Sequence, residues 1–74
     1  MASTSQTTIA SPSDLGRAIR ARRLLLGLTQ AEVAMQSGVS IPTVSAIENG
    51  KETAHIGLVM QICRDLGLHL MAEG

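Results

Sequence analysis

The sequence predicts an all-α fold: four short helices in one compact domain, followed by a short C-terminal β-strand that pairs across a homodimer. Three observations point there. The chain has 74 residues, enough for a single domain. Its apolar fraction is 45% yet contains no Phe, Tyr or Trp, so the core must be built from Leu, Ile, Val, Met and Ala. Such a core suits short helices better than a sandwich or barrel. Finally, helix start and stop signals alternate along the chain from Ser11 to Gly67.

The first helix starts at Ser11-Pro12-Ser13-Asp14. Ser11 caps, Pro12 fits the first helical position, and Asp14 completes an S-x-x-D box. It runs to about Leu26, where Gly27 supplies the left-handed stop, and Leu15, Ile19 and Leu26 mark its inward side. Thr29-Gln30-Ala31-Glu32 is a second capping box, opening a short helix that Gly38 ends. Ser40 caps a third helix with Pro42 in its first turn, and Asn49-Gly50 closes it. Val33, Ala34, Val39, Val44 and Ile47 are the inward candidates of this pair. A fourth helix is predicted from Ala54 to Leu66 with Ile56, Val59, Met60, Cys63 and Leu66 on its buried face, ended by Gly67. In the tail, Leu68, Leu70 and Ala72 alternate onto one side of an extended strand. A lone strand leaves its backbone groups unpaired, and the same strand of a second subunit would satisfy them. Leu58 and Ile62, off the inward stripe, join Leu68 and Leu70 in a predicted dimer seam. The resulting organisation is a flexible polar segment over 1–10, a helical domain over 11–67 and a dimerisation tail over 68–74.

A core of this size is marginal without a supplement. Cys63 is the only cysteine, which excludes an intrachain disulfide and a multi-cysteine zinc site. His55 and His69 are too isolated for a metal site, so neither metal nor cofactor is expected. Cys63 reads as a core thiol, and Met60 and Met71 as packing residues. No apolar run approaches the ~18 residues of a membrane span. Residues 1–10 lack the basic start and apolar middle of a signal peptide, so a cytoplasmic protein is expected. No nucleophile–base pair, metal set or phosphate loop can be assembled, which argues against an enzyme. The absence of aromatics removes the stacking platform of a single-strand binder.

The central motif is the pair of capped helices joined by Ser37-Gly38-Val39-Ser40. A short turn with Gly sets two helices at a steep angle, so that the second can enter a major groove while the first offers its amino terminus, with Gln30, to a phosphate. Formal net charge is zero, but four of the six basic side chains (Arg17, Arg20, Arg22, Arg23) fall within seven residues.

Beyond this geometry, Ile19-Arg20-x-x-Arg23-x-x-x-Gly27-Leu28-Thr29-Gln30-x-x-Val33-Ala34, Gly38-Val39-Ser40 and Val44-Ser45-x-Ile47-Glu48-Asn49-Gly50-Lys51 resemble the phage-repressor-like (XRE) helix-turn-helix family over about 15–68. The resemblance implies a compact helical fold, dimers on palindromic double-stranded operators, and transcriptional repression. It also implies an Arg–Glu pair at Arg23 and Glu48, with Arg23 open to both a fold-fixing and a phosphate-binding role. Arg20 and Lys51 are expected at phosphates, and Ser40, Ile41, Pro42, Thr43 and Ser45 on the recognition helix. The leading Ile9-x-Ser11-Pro12-x-Asp14-Leu15 and trailing Leu66-Gly67-Leu68-x-Leu70 look like HipB-type antitoxins. In those the C-terminal strands of two subunits pair and a HipA-like kinase toxin is the partner. A stand-alone regulator, or an interaction module that has lost DNA binding, are the alternatives. Ile41, Pro42 and Ala46 stand where relatives often carry longer polar side chains. Short hydroxyls cannot make bidentate purine contacts, which shifts readout toward thymine methyls and DNA shape.

Overall fold

The computed structural model describes residues 6–73. It contains four helices: α1 (Pro12–Leu25), α2 (Gln30–Ser37), α3 (Ile41–Glu48) and α4 (Ile56–Asp65). The first three begin where their caps predict. The Asp14 backbone N–H donates to Ser11 Oγ at 3.1 Å, and that of Thr43 to Ser40 Oγ at 3.2 Å. At α2 the capping box closes in both directions: the Glu32 N–H donates to Thr29 Oγ1 at 3.1 Å and the Thr29 N–H to Glu32 Oε1 at 3.0 Å. Each bond satisfies a donor that the first helical turn leaves orphaned. The α4 start has no side-chain cap, and it lies two residues later than Ala54.

Helix α3 packs against α1 and α2, and α4 packs against α2. The core they enclose takes Ile19 from α1, Val33 and Ala34 from α2, Val44 and Ile47 from α3, and Val59, Ile62, Cys63 and Leu66 from the α4 region. Leu15, Leu28, Val39, Ala54 and Leu68 pack around it, half-buried. Each fully buried aliphatic contributes on the order of 1.5–3 kcal/mol. Polar bonds fasten α4 to the carboxyl end of α2: Ser37 Oγ donates to Asp65 Oδ2 at 2.8 Å, and Gln61 Nε2 donates to the Ser37 carbonyl at 3.0 Å.

The approach of α1 to the end of α3 depends on a missing side chain. A Cβ on Gly16 would lie 2.4 Å from the Ile47 carbonyl oxygen and 2.6 Å from that of Glu48. Both obstacles are backbone, so neither can swing aside. Gly50, at φ +82°, follows α3 and faces Ser13 on the same seam.

Several expectations are corrected. Leu26 is not an inward residue of α1; it is exposed, as are Ile56 and Met60 of α4 and Met71 of the tail. Ile62, expected in a dimer seam, is a core residue at 0% exposure. The buried stripe of α4 is therefore 59, 62, 63 and 66, with Leu58 half-buried beside it. Apart from these corrections, among the described residues 68–73 form no strand within one protomer, which leaves pairing between two copies an expectation. Of the segment 1–10, residues 1–5 lie outside the described residues; the 6–10 backbone is irregular and exposed, joined to α1 by the Ala10 N–H donating to Asp14 Oδ2 at 2.9 Å.

Candidate nucleic-acid interface

Helices α2 and α3 are joined by Gly38, Val39 and Ser40, with Gly38 at φ +69°. The left-handed turn ends α2, and Ser40 starts α3 two residues later, leaving the second helix only its inner side for packing. Val44, Ile47 and Glu48 are that inner side. Ser40, Ile41, Pro42 and Asn49 are exposed, while Thr43, Ser45 and Ala46 are half-buried along its margins. The hydroxyls of Ser40 and Thr43 are 2.8 Å apart and bonded to each other, and Asn49 Nδ2 reaches toward Ser45 Oγ at 3.5 Å. The outer surface thus carries apolar Ile41 and Pro42 between small polar groups that partly satisfy one another.

Glu48 holds this helix in place. Arg23 Nε donates to Glu48 Oε2 at 2.6 Å and Arg23 Nη2 to Oε1 at 2.9 Å, a two-pronged contact that matches a planar guanidinium to a carboxylate. Gln30 Nε2 donates to the same Oε1 at 3.1 Å. Burial opposes ionisation of Glu48, but the bonds from Arg23 and Gln30 and the charges of Arg23 and Arg20 outweigh it, leaving the carboxyl below its ordinary value. One carboxylate on α3 is therefore held from α1 and from the first residue of α2.

Arg23 is committed to the interior of the fold. It is buried, and its remaining Nη1 donates to the Leu28 carbonyl at 2.9 Å. The fold-fixing role is the one this geometry supports. Gln30 is half-buried with its amide nitrogen directed at Glu48, so what it offers outward is the α2 amino terminus beside it. Arg20 and Lys51 are exposed and, among the described residues, in no ion pair.

Four of the six carboxylates have hydrogen-bond partners among the described residues. Glu48 is spent on Arg23, Glu32 on the Thr29 N–H and Asp65 on Ser37. Asp14 accepts from the Ala10 N–H, which lowers its pKa first of all, and from Arg17. Arg20 and Lys51 are exposed and outside these contacts, as is Glu52 beside Lys51. Sequence reasoning missed a different arginine. Arg22, in the basic cluster, turns to the far end of the molecule, where its Nε donates to the Leu66 carbonyl at 2.8 Å. It also missed Gly16, whose role leaves no local signal.

Of the expected seam, Leu58 and Leu68 are half-buried and Leu70 is 47% exposed. Cys63 is 1% exposed, and burial raises its thiol pKa, keeping it protonated.

A family model described as Helix-turn-helix matches residues 19–71. The chain belongs to the helix-turn-helix family. Within that family it is 37% identical over 68 residues to an uncharacterised HTH-type transcriptional regulator, y4mF, of Sinorhizobium fredii, covering 89% of this chain and 90% of the relative. It is 43% identical over 49 residues to an uncharacterised HTH-type transcriptional regulator of Methanothermobacter thermautotrophicus, covering 66% of this chain and 71% of that one. Among solved structures, a HipB variant in complex with an O2 20mer superposes with a TM-score of 0.86 at 30% identity, over 95% of this chain and 97% of that chain. A structure of a HipA-HipB-O2-O3 complex gives 0.85 at 28% identity, over 93% and 97%. The protein is a helix-turn-helix transcriptional regulator of the HipB fold, not an enzyme. No helix of the described residues is long and apolar enough to cross a membrane.

Proposed function

We propose that the protein is a cytoplasmic, double-stranded-DNA-binding repressor that acts as a homodimer on a palindromic operator. In this reading it is the antitoxin of a HipA-like kinase toxin, and it represses the operon that encodes both. The observation that carries the reading is the posture of α3: its inner side is locked by Glu48 to α1 and α2, while Ser40, Ile41, Pro42, Thr43 and Ser45 line the side left open. A helix held this rigidly and presented this freely suits insertion into a major groove. The amino terminus of α2, at Gln30, would take one phosphate through its free N–H groups. Arg20 and Lys51 would take others.

Residues 11–67 form the DNA-binding unit in this account, and 68–74 the dimerisation tail, with Leu58, Leu68 and Leu70 at the seam. The HipB complexes with O2 and O4 20mers support the operator part, and the complex that also contains HipA supports the toxin part. A stand-alone regulator is the second reading, favoured by the relatives named only as HTH-type regulators.

One pair of experiments separates the readings. A gel shift with duplex DNA from upstream of the gene is expected to give a retarded complex that salt dissolves. Co-expression with the neighbouring open reading frame is expected to co-purify a kinase-like protein. A shift without a kinase partner favours the stand-alone regulator, and a partner without any shift favours an interaction module that has lost DNA.

A further inference from the structure

The tail leaves the fold at a glycine-terminated helix end of the kind that also closes α1 and α3. The Gly67 N–H donates to the Arg64 carbonyl at 3.0 Å and the Leu68 N–H to the Cys63 carbonyl at 2.8 Å, with Gly67 at φ +74°. These bonds close the end of α4, and Leu68 then packs against the core. Beyond it the restraints stop. Among the described residues, His69 to Glu73 make no backbone hydrogen bond, and Leu70 and Met71 are 47% and 78% exposed.

Arg22 is the outside group that grips this junction. Its Nε–H donates to the Leu66 carbonyl across 44 residues of sequence, and its Nη2 would stand 3.1 Å from a Cβ on Gly67. A cation at the carboxyl end of a helix also meets the negative end of the helix dipole. Among the described residues Arg22 makes no ion pair, so the junction is its polar commitment. The bond joins α1, which carries Arg23 and Arg20 toward the recognition helix, to the end of α4 two residues before Leu68, where the restraints stop.

We propose that Arg22 is a positioning residue for dimerisation: it fixes the direction in which residues 69–73 leave the fold, so that they meet the same segment of a second copy in register. This rests on the tail-pairing reading given above. A strand that leaves at a fixed angle has already lost much of the freedom that pairing would otherwise remove.

The test is sedimentation equilibrium on the full chain, comparing wild type with Arg22→Ala and Arg22→Gln, and with Arg20→Ala as the control for lost charge. Each protomer makes this bond with or without a partner, so its loss acts through the extra ordering that the two freed tails then need, expected to raise the dimer dissociation constant about tenfold in Arg22→Ala. Arg22→Gln is expected to fall between it and wild type, and Arg20→Ala to match wild type. Hydrogen exchange supplies a readout that a merely structural cap would not move. At dimerising concentrations the amides of His69 to Met71 are expected to be protected in wild type and to lose protection in Arg22→Ala, while those of α2 and α3 keep theirs. An unchanged dissociation constant in Arg22→Ala would overturn the proposal. If that variant fails to fold, an unchanged constant in Arg22→Gln does the same. A wild-type chain that stays monomeric at every concentration overturns tail pairing itself, and this role with it.

Discussion

Arg23 and Glu48 meet edge to edge between α1 and α3, with side-chain exposures of 9% and 2%. Water is excluded from both, so removing one partner leaves an uncompensated buried group. Arg23→Ala or Glu48→Ala is expected to cost about 3–5 kcal/mol, comparable to the whole stability of a small domain. Arg23→Met combined with Glu48→Leu is expected to recover much of that loss, since paired removal leaves no orphan charge. Urea denaturation followed by far-ultraviolet circular dichroism measures all three. Single variants as stable as the wild type would count against the pair as the α1–α3 clamp.

The same carboxylate sets an acid limit. The Glu48 pKa lies below its ordinary value of 4.5 in the fold. A carboxyl with a lowered folded pKa stabilises the native state above its unfolded pKa, and that contribution is lost as pH falls through the folded pKa. Thermal midpoints are therefore expected to be level from about pH 7 to about pH 5 and to decline below. Glu48→Gln, less stable throughout, is expected to show a shallower decline. Equal slopes in the two proteins would place the acid sensitivity elsewhere.

Gly16→Ala adds one methyl group against two backbone carbonyls. Overpacking of this kind costs roughly 1–3 kcal/mol, and more where backbone must move. The variant is expected to melt well below wild type, whereas Ala→Gly at exposed Ala21 costs only about 1 kcal/mol. A Gly16→Ala protein that melts with the wild type would mean that α1 and α3 can separate freely.

Binding to duplex DNA is expected to weaken steeply with salt. Lys51→Ala and Arg20→Ala should each weaken binding to every duplex and reduce the slope of log affinity against log salt by about one. Fluorescence-anisotropy titrations at several salt concentrations measure this. A loss confined to one operator sequence would make Lys51 a base reader.

Thr43 already shares its hydroxyl with Ser40, so its truncation forfeits little. Thr43→Ala is expected to cost about 1 kcal/mol or less in operator binding, below a bidentate base contact. Replacing contacted thymines by uracil removes only the methyl group and should cost a comparable amount, because Ile41 and Pro42 offer apolar contact. Titration on a palindrome with half-sites about one helical turn apart tests both. If uracil changes nothing while Thr43→Ala abolishes binding, hydrogen bonding carries the recognition.

The legible parts of the sequence were those whose chemistry is local. Ser11, Thr29 and Ser40 cap three residues downstream, so the starts of α1, α2 and α3 could be read directly. Helix α4 has no such cap, and its apolar residues at 56, 58, 59, 60, 62, 63 and 66 nearly encircle it. Two stripe phases fit that pattern, and only packing against α2 selects the one containing Ile62. Arg22 and Arg23 are adjacent and chemically identical in the sequence. A rotation of about 100° around α1 sends one to Glu48 and the other to Leu66, a distinction that needs the partner helices in place. Gly16 was silent for the same reason, since its neighbours are more than thirty residues away.

The division of α3 into a locked side and an open one has an evolutionary consequence. Val44, Ile47 and Glu48 are buried against the rest of the fold, whereas Ile41, Pro42 and Asn49 are exposed. Under the proposed function, duplicated copies of such a gene can diverge in operator preference through exposed positions of α3 such as Ile41, leaving the buried contacts of Val44, Ile47 and Glu48 untouched. Cross-talk between sister regulators in one cell can be relieved in a few exposed substitutions, while the scaffold beneath them stays interchangeable.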